Sequence, residues 1–207
     1  MGTPFELLLG TRNDGKVVEL IDALSGLPAN FRLIREFPNI TDVEEIGVTY
    51  EENATLKAFG YALQTGISTL ADDSGLEVDA LGGQPGVLSA RFGGNGISDT
   101  QRIEVLLEVL ANIDSDRRTA RFVCCMVLVG RSNQELKVLA VSRGICEGSI
   151  ATVSAGSRGF GFDPVFIPNG YTSSFAALDP AVKARLSHRA KATKQMRQKL
   201  EHLFAQT

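Results

Sequence analysis

Two long β-rich runs separated by only four polar residues constrain the fold of this chain more than any other feature. The runs cover residues 119–130 and 135–146, and Arg131-Ser132-Asn133-Gln134 joins them. A connection this short between two strands predicts an antiparallel hairpin. Cys124 and Cys125 lie inside the first run, so we expect them to be buried free thiols.

The amino-terminal region predicts a strand, a glycine-bearing loop and a helix. Residues 5–9 are an apolar run of strand length, and residues 17–24 repeat apolar side chains at helical spacing. The loop between them reads Gly10-Thr11-Arg12-Asn13-Asp14-Gly15-Lys16. A loop that opens a helix can bind phosphate, but Val17 stands where a P-loop needs Ser or Thr for magnesium. We therefore reject a P-loop and expect the loop N–H groups, Asn13 and Lys16 to bind phosphate; the alternative is a plain turn with an exposed lysine.

Two adjacent carboxylates follow another short apolar run. Residues 67–71 predict a buried strand, and Asp72, Asp73 and Ser74 are expected on the loop where that strand ends. Acidic residues on such a loop are placed to hold a metal ion or to move a proton. The alternative is an ordinary turn, because Asp, Ser and Gly all favour turns.

A capping box predicts the helix that precedes this strand. Thr49 is the N-cap, Glu52 follows three residues later, and the helix is expected to end near Gly66. Asn53 and Lys57 are four residues apart, so they share one face of the helix. A lysine on a helix is most often a surface residue, which is the alternative to a phosphate-binding role.

A second capping box, Ser98-Asp99-Thr100-Gln101, begins a helix with apolar residues at core spacing. We expect its charged side chains Arg102, Glu104 and Glu108 to face solvent. The pattern therefore predicts an amphipathic helix whose apolar face packs on the core.

The last helix begins with an unusual charge distribution. Ser187 is its expected N-cap, which places His188 and Arg189 in the first turn. Cations there are unfavourable unless an anion shares the site. The arrangement indicates a bound phosphate or polar ligand, or else a helix that simply has a basic face.

A glycine-rich segment at residues 154–164 carries two aromatic side chains, Phe160 and Phe162, together with Asp163. An aromatic residue beside glycines can offer a flat face to a nucleobase. The alternative is a core plug, which the segment taken alone favours.

Composition and charge exclude several classes of protein. The chain has 207 residues, 43% hydrophobic and 22% charged, which suits one large globular domain or two small lobes. The net charge of -3 gives no broad reason to bind nucleic acid or an anionic membrane. No apolar run is long enough to span a bilayer, and the amino terminus lacks a signal-peptide pattern. With three cysteines and no CxxC pair, the chain is expected to be cytoplasmic.

The candidate residues share one chemistry. Carboxylates for a divalent metal, basic residues for phosphate and an aromatic loop for a base are the components of a nucleoside triphosphate enzyme. The phosphate-binding candidates are Asn13, Lys16, Lys57, Lys183 and Arg189, and the metal-binding candidates are Glu44, Asp73 and Asp72.

The motifs resemble a known family, the noncanonical purine nucleoside triphosphate pyrophosphatases (inosine/xanthosine triphosphate pyrophosphatases). The resemblance runs nearly the whole chain and departs at Phe162, where the family often has Tyr, so one hydroxyl is lost. Five blocks occur in the expected order: TxNxxK at 11–16, EExG at 44–47 with ENAxxKA at 52–58, ADDSGLEVDALGGQPGVLSARF at 71–92, GFGFDPVF at 159–166, and Lys183 with Ser187-His188-Arg189.

The resemblance implies an α/β fold with a long mixed central sheet bent into two lobes. Helices pack around the sheet, the active-site cleft lies between the lobes, and residues 1–207 form a single two-lobed domain. The implied reaction is hydrolysis of ITP, dITP and XTP to the nucleoside monophosphate and pyrophosphate, which removes deaminated purines from the nucleotide pool. The implied cofactor is Mg²⁺, and the implied assembly is a homodimer.

The resemblance also implies roles for individual residues. Glu44 and Asp73 would hold Mg²⁺, and Asp73 would accept the proton of the attacking water. Asp72 would support the acidic cluster or a second metal ion. Phe160 would stack on the base. The implied substrate-binding residues are Thr11, Arg12, Asn13, Asp14, Gly15, Lys16, Lys57, Ser74, Phe160, Gly161, Phe162, Asp163, Lys183, His188 and Arg189.

Selectivity for the base would come from Asp163, His188 and Arg189, which are expected to read its edge. Hypoxanthine and xanthine carry an oxygen at position 6, where adenine carries an amino group. A buried donor from His188 or Arg189 pairs with the oxygen and is left unpaired against adenine. GTP shares the oxygen and would have to be excluded at its 2-amino group.

Three other functions remain as alternatives. The first is a pyrophosphatase for standard or modified pyrimidine nucleotides on a related fold, against which the SHR and GFGFDP blocks argue. The second is a non-catalytic nucleotide sensor, which the intact pair of Glu44 and Asp73 disfavours. The third is a nucleic-acid-binding protein, which the acidic balance disfavours.

Overall fold

The computed structural model describes residues 5–205. The first four residues, on which part of the expected absence of a leader segment depends, lie outside this range. Within it the chain forms six strands: β1 (Phe5–Leu9), β2 (Ala29–Leu33), β3 (Ser68–Val78), β4 (Thr119–Ser132), β5 (Glu135–Ile150) and β6 (Phe166–Pro168). The five α-helices in the same range are α1 (Asp14–Leu24), α2 (Tyr50–Thr65), α3 (Asp99–Val109), α4 (Pro180–Leu186) and α5 (His188–Ala205).

The strands form one mixed sheet in the order β2-β1-β3-β4-β5-β6. β1 is parallel to both of its neighbours, β2 and β3, while β6 is antiparallel to β5. β4 and β5 are adjacent and only two residues separate them, which permits only an antiparallel pair. The hairpin predicted from the sequence is therefore confirmed, and so is the mixed α/β fold class.

The described chain divides into two compact units. Unit 1 contains residues 5–73, 124–144 and 191–205, and unit 2 contains residues 74–123 and 145–190.

Unit 1 is built on β1, whose residues Leu7, Leu8 and Leu9 are fully buried. A strand with parallel neighbours on both sides is expected to be apolar on both faces, and each leucine contributes about 2 kcal/mol through burial. One face packs against α1 and α5 through residues such as Leu20 and Met196. β1 is thus a rigid base for the loop that follows it.

Unit 2 has its own core, which consists of Leu76 and Val78 from β3, Ile103 and Leu106 from α3, and a group of phenylalanines. The phenylalanine rings of this core are in contact; those of Phe122 and Phe166, for example, lie 4.5 Å apart between centroids. The core fixes the segment between β5 and β6, which carries the aromatic loop.

The length of β3 differs from the prediction. The strand was expected to end at residue 71, but it continues to Val78, so Asp72 and Asp73 lie inside a strand and not on a loop. Both carboxylates are buried, and both have lysine partners that offset the cost of burying a charge. The position of Arg102 also differs from the prediction, because its buried guanidinium donates to the carbonyl oxygens of Phe92 and Ile97 at 2.8 and 3.2 Å.

No helix within residues 5–205 combines the length and the apolar character that crossing a bilayer requires.

Candidate active site

The centre of unit 1 is the pair of carboxylates on β3. Asp72 is 1% exposed, and its Oδ2 atom lies 2.9 Å from Nζ of Lys16, at the start of α1. Asp73 is 5% exposed, and its Oδ1 atom lies 4.0 Å from Nζ of Lys57 on α2. Lys16 is thus the ion-pair partner of Asp72 and Lys57 that of Asp73, while the negative charge of Asp72 also acts on Lys57.

Lys57 is a buried cation held by several carboxylates. Its Nζ atom donates to Oε2 of Glu45 at 3.0 Å, in addition to its contact with Asp73. Burial lowers the pKa of Lys57, but the negative charges of Asp72, Glu45 and Asp73 outweigh burial, so the pKa lies above its ordinary value. Lys57 is therefore a fixed positive charge at neutral pH and not a surface lysine.

Asn53 orients the carboxylate of Asp73. The amide is completely buried; its Nδ2 atom donates to Oδ2 of Asp73 at 3.1 Å, and its Oδ1 atom accepts from the backbone N–H of Gly47 at 2.7 Å. Because each end of the amide has a partner of opposite type, the amide cannot rotate without losing both bonds. Asn53 and Lys57 share one face of α2, as their spacing predicted, and that face contacts Asp73.

The electrostatics of Asp73 suit a proton acceptor. Burial raises its pKa, Lys57 lowers it, and the nearby negative charge of Glu45 raises it again; the net result lies above the ordinary value. A carboxylate with a raised pKa is a stronger base than an exposed one.

The loop between β1 and α1 is organised by Asn13, which is the N-cap of α1. Its Oδ1 atom accepts from the backbone N–H of Lys16 at 2.9 Å, and its own N–H donates to Oγ1 of Thr11 at 3.2 Å. The helix therefore begins next to the ammonium group of Lys16, which is the arrangement expected of a phosphate site. Arg12 and Asp14 are exposed and form ion pairs with Asp42 and Arg35 respectively.

The chemistry of the acidic residues fits a divalent cation such as Mg²⁺. Three carboxylates, from Asp72, Asp73 and Glu45, lie beside the ammonium groups of Lys16 and Lys57. Hard cations prefer such carboxylate oxygens. Among residues 5–205 no three potential ligand side chains form a ready-made metal cluster, and the side chain of Glu44 is exposed to solvent.

Unit 2 carries the aromatic loop, where Phe160 lies against two cations. Nζ of Lys183 is 4.5 Å from the centroid of the Phe160 ring, and Cζ of Arg189 is 5.6 Å from it. Such cation–π contacts hold both the ring and the cations in place. Phe162, in contrast, is buried in the core of unit 2.

Asp163 links this loop to Lys183. Its Oδ2 atom accepts from Nζ of Lys183 at 2.6 Å and from the backbone N–H of Phe160 at 3.0 Å. Gly159 has φ of +77°, and a Cβ atom there would lie 2.0 Å from Oδ2 of Asp163. The loop can therefore fold over the carboxylate only because residue 159 is glycine.

His188 and Arg189 begin α5 and are both buried. Arg189 donates to Oγ of Ser74 at 2.8 Å, and the His188 ring stacks on Phe122 with centroids 4.7 Å apart. Ser187 caps the helix as predicted, since its Oγ atom accepts from the backbone N–H of Ala190 at 3.0 Å. Unit 2 thus brings together five of the expected substrate-binding residues: Ser74, Phe160, Asp163, Lys183 and Arg189.

Comparison with known proteins agrees with this arrangement. The sequence model of the Ham1 family matches residues 7–199, which is nearly the whole chain. The chain belongs to the Ham1 family. The family expected from the sequence motifs is therefore confirmed.

Individual relatives of the Ham1 family match over most of their length. The dITP/XTP pyrophosphatase of Desulforamulus reducens is 43% identical over 199 residues, which cover 96% of this chain and 97% of the relative. The dITP/XTP pyrophosphatase of Vibrio vulnificus is 42% identical over 191 residues, or 92% and 94% of the two chains. The solved structure of a HAM1 protein from Coxiella burnetii superimposes with a TM-score of 0.86 at 38% identity and covers 96% of this chain and 99% of that one.

Sequence reasoning gave no role to three residues of this Ham1 chain that contact the candidate site residues. Glu45 binds Lys57, Asn53 binds Asp73, and Asp99 accepts from the backbone N–H of Gly161. The helical spacing of Asn53 and Lys57 was a usable signal for one of them. Nothing in the sequence pattern connects Asp99 with a loop that lies 62 residues further along the chain.

Proposed function

We propose that this chain hydrolyses the purine nucleoside triphosphates ITP, dITP and XTP to the monophosphate and pyrophosphate. The observation that carries the proposal is the buried Asp73, which Asn53 orients and Lys57 faces, in a chain of the Ham1 family. Relatives that carry the name dITP/XTP pyrophosphatase match nearly the full length, which confirms the expected class of enzyme, a hydrolase of triphosphate anhydrides.

In the proposed reaction, Asp73 takes a proton from a water molecule as that water attacks the α-phosphorus. The bond between the α- and β-phosphoryl groups breaks, and pyrophosphate leaves with the electron pair. Asn53 keeps Asp73 in one orientation, so the carboxylate loses little freedom in the transition state. Lys57 and Lys16 donate to phosphate oxygens and offset the charge that develops on them.

Magnesium fits this site through its oxygen donors, and we propose Glu44 and Asp73 as its ligands. When bound, it would neutralise charge on the phosphate oxygens. Asp72 would keep Lys16 in position, because its buried carboxylate is paired with the Lys16 ammonium group.

The base would be recognised by residues of unit 2. Phe160 offers an aromatic face, and Asp163 and Lys183 hold the loop that carries it. Buried donors of His188 and Arg189 would pair with the oxygen at position 6 and reject adenine, whose amino group is itself a donor. The remaining expected contacts are those of Thr11, Arg12, Asn13, Asp14, Gly15, Ser74, Gly161 and Phe162 with the substrate.

Three wider properties are part of the proposal. We propose that residues 1–207 act as one two-lobed domain, because the family match runs through both units. We propose a homodimer, and we propose the cytoplasm as the place of action, because the nucleotide pool is there. Nucleic acid and membrane are not expected partners of an acidic chain.

The test is a substrate panel. Release of pyrophosphate is measured from ITP, XTP, ATP, GTP and dTTP with Mg²⁺ and again with EDTA. We expect metal-dependent release from ITP and XTP with little from ATP and GTP. Preference for dTTP would replace the base assignment with a pyrimidine one, and binding without release from any of them would support a sensor.

A further inference from the structure

The aromatic loop of unit 2 is bound from its outer side by Asp99, the first residue of α3. The Oδ2 atom of Asp99 accepts from the backbone N–H of Gly161 at 2.7 Å. Gly161 follows Phe160 directly and has φ of +59°, so its N–H group has the direction set by a left-handed backbone. The bond therefore acts on the residue next to the aromatic ring.

Asp99 is itself held by a rigid helix end. The capping box of Ser98 and Gln101 fixes the first turn of α3, since the backbone N–H groups of both residues bond to the partner side chain. Oδ1 of Asp99 lies 3.9 Å from Nε of Arg102, whose side chain is only 10% exposed. The carboxylate of Asp99 is therefore held in place by the first turn of α3, independently of the loop.

Asp163 belongs to the loop itself. It closes a turn by accepting from the N–H of Phe160, and it accepts from Nζ of Lys183 on α4. The consecutive N–H groups of Phe160 and Gly161 thus donate to two different carboxylates, Asp163 within the loop and Asp99 on α3. Two attachments on adjacent peptide groups fix both the position and the direction of the intervening Phe160 side chain. With only one of these two hydrogen bonds, the peptide group that lost its bond could rotate and change the direction of the Phe160 side chain.

We propose that Asp99 is a positioning residue for nucleotide binding, which acts by holding the aromatic loop in the conformation that receives the base. The proposal rests on the proposed function, in which Phe160 contacts the base. Asp99 touches neither substrate nor reacting atoms. Its loss is therefore expected to weaken substrate binding and to leave the chemical step unchanged.

The test compares Asp99→Ala with Asp99→Asn. The alanine variant has no acceptor, and we expect KM for ITP to rise about fivefold, with kcat within about twofold of the parent, as loss of one charged acceptor predicts. The asparagine variant keeps an acceptor oxygen but loses the charge, and we expect KM close to that of the parent. Hydrogen exchange of the Gly161 amide, followed by NMR, should accelerate in the alanine variant and much less in the asparagine variant.

A matched control comes from Asp79, another surface carboxylate of unit 2. It accepts from Arg121 and from Thr119, both at 2.7 Å, and has a similar exposed fraction, 44% against 55% for Asp99. Asp79→Ala should lower Tm as Asp99→Ala does, without any change in KM or in Gly161 exchange.

Three results would overturn the proposal: an unchanged KM in Asp99→Ala, an equal rise in Asp99→Asn, or an equal rise in Asp79→Ala. If the parent protein released no pyrophosphate from ITP or XTP, the proposed function would fall instead. The exchange rate of Gly161 would still decide whether Asp99 holds the loop.

Discussion

The two groups of functional residues differ in the sign of their net charge. In unit 1, three carboxylates surround two lysines, and all five side chains lie on or beside β3, α1 and α2. In unit 2, one carboxylate, Asp163, pairs with Lys183, and the two cations Lys183 and Arg189 both contact the Phe160 ring. Unit 1 is therefore suited to a cation and its phosphates, and unit 2 to a base that presents oxygen and a flat face.

The proposed base Asp73 and the aromatic ring of Phe160 differ in their supporting element, because Asp73 lies on strand β3 and Phe160 lies on a loop. Chemistry needs reacting groups fixed within a few tenths of an ångström, and helices and strands provide this. Recognition of a base tolerates a loop, provided that the loop is held at several points. In unit 2 those points are Asp163, Asp99 and the cations against Phe160.

The largest effect is expected from Asp73→Asn in unit 1. The amide cannot accept a proton at neutral pH, so kcat should fall by about a thousandfold or more. Release of pyrophosphate from ITP measures this directly. A kcat near that of the parent would show that Asp73 is not the proton acceptor. The contrast between a catalytic unit 1 and a base-binding unit 2 would then fail.

Asp73→Asn is also expected to change the pH dependence of thermal stability. The pKa of Asp73 is raised chiefly by burial, so the native state keeps its proton to higher pH than the unfolded state does. Ionised Asp73 therefore lowers stability above its native pKa and has no such effect below its unfolded pKa. Asp73→Asn should have a Tm at neutral pH equal to or above that of the parent, and the difference should vanish in acid. A lower Tm at neutral pH would contradict this.

Two neighbouring glutamates allow a matched comparison within unit 1. Glu44 is exposed and proposed as a metal ligand, whereas Glu45 binds Lys57 at 3.0 Å. Glu44→Gln should raise the Mg²⁺ concentration for half-maximal rate by about a hundredfold, as loss of a ligand predicts. Glu45→Gln should leave that concentration nearly unchanged and raise KM for ITP. If the two variants exchanged these effects, Glu45 would be the metal ligand.

Arg189→Ala tests the recognition of the base in unit 2. Arg189 is 2% exposed, so a donor lost there removes an interaction that water cannot replace. The preference for ITP over ATP, measured as the ratio of kcat/KM, should fall by about thirtyfold. Phe204→Ala, at a partly buried residue that packs against the core of unit 1, serves as control and should leave the ratio unchanged. An unchanged ratio in Arg189→Ala would move base reading to other residues.

The sequence predicted the parts of this molecule whose signals are local. The capping boxes of Thr49 and Ser98, the N-cap role of Ser187 and the hairpin of β4 and β5 all depend on residues close together in the chain, and all four are confirmed. The resemblance to a known family named the candidate site residues, and their roles stay predictions.

Features that depend on contacts between residues distant in the chain could not be predicted from the sequence. Residues 72–73 looked like a turn because Asp normally avoids strands, but Lys16 and Lys57 permit both carboxylates to remain inside β3. The side chain of Arg102 looked like a surface charge because its carbonyl partners lie outside its helix. In each case the partner that stabilises the buried charge lies outside that residue's own helix or strand, so the periodicity of apolar residues does not reveal it.

Among the variants of candidate site residues, Phe160→Ala has the smallest expected effect on the kinetics, and it tests whether the aromatic ring of unit 2 contributes only to binding. Loss of one stacking surface should raise KM for ITP about tenfold and leave kcat nearly unchanged. Phe160→Leu is the matched control, because it keeps apolar volume without an aromatic face, and its KM should lie between those of the parent and the alanine variant. If leucine restored KM fully, Phe160 would act as a core plug and not as a stacking partner. If kcat also fell in both variants, the loop would assist the chemistry of unit 1, and the division of labour between the two units would no longer hold.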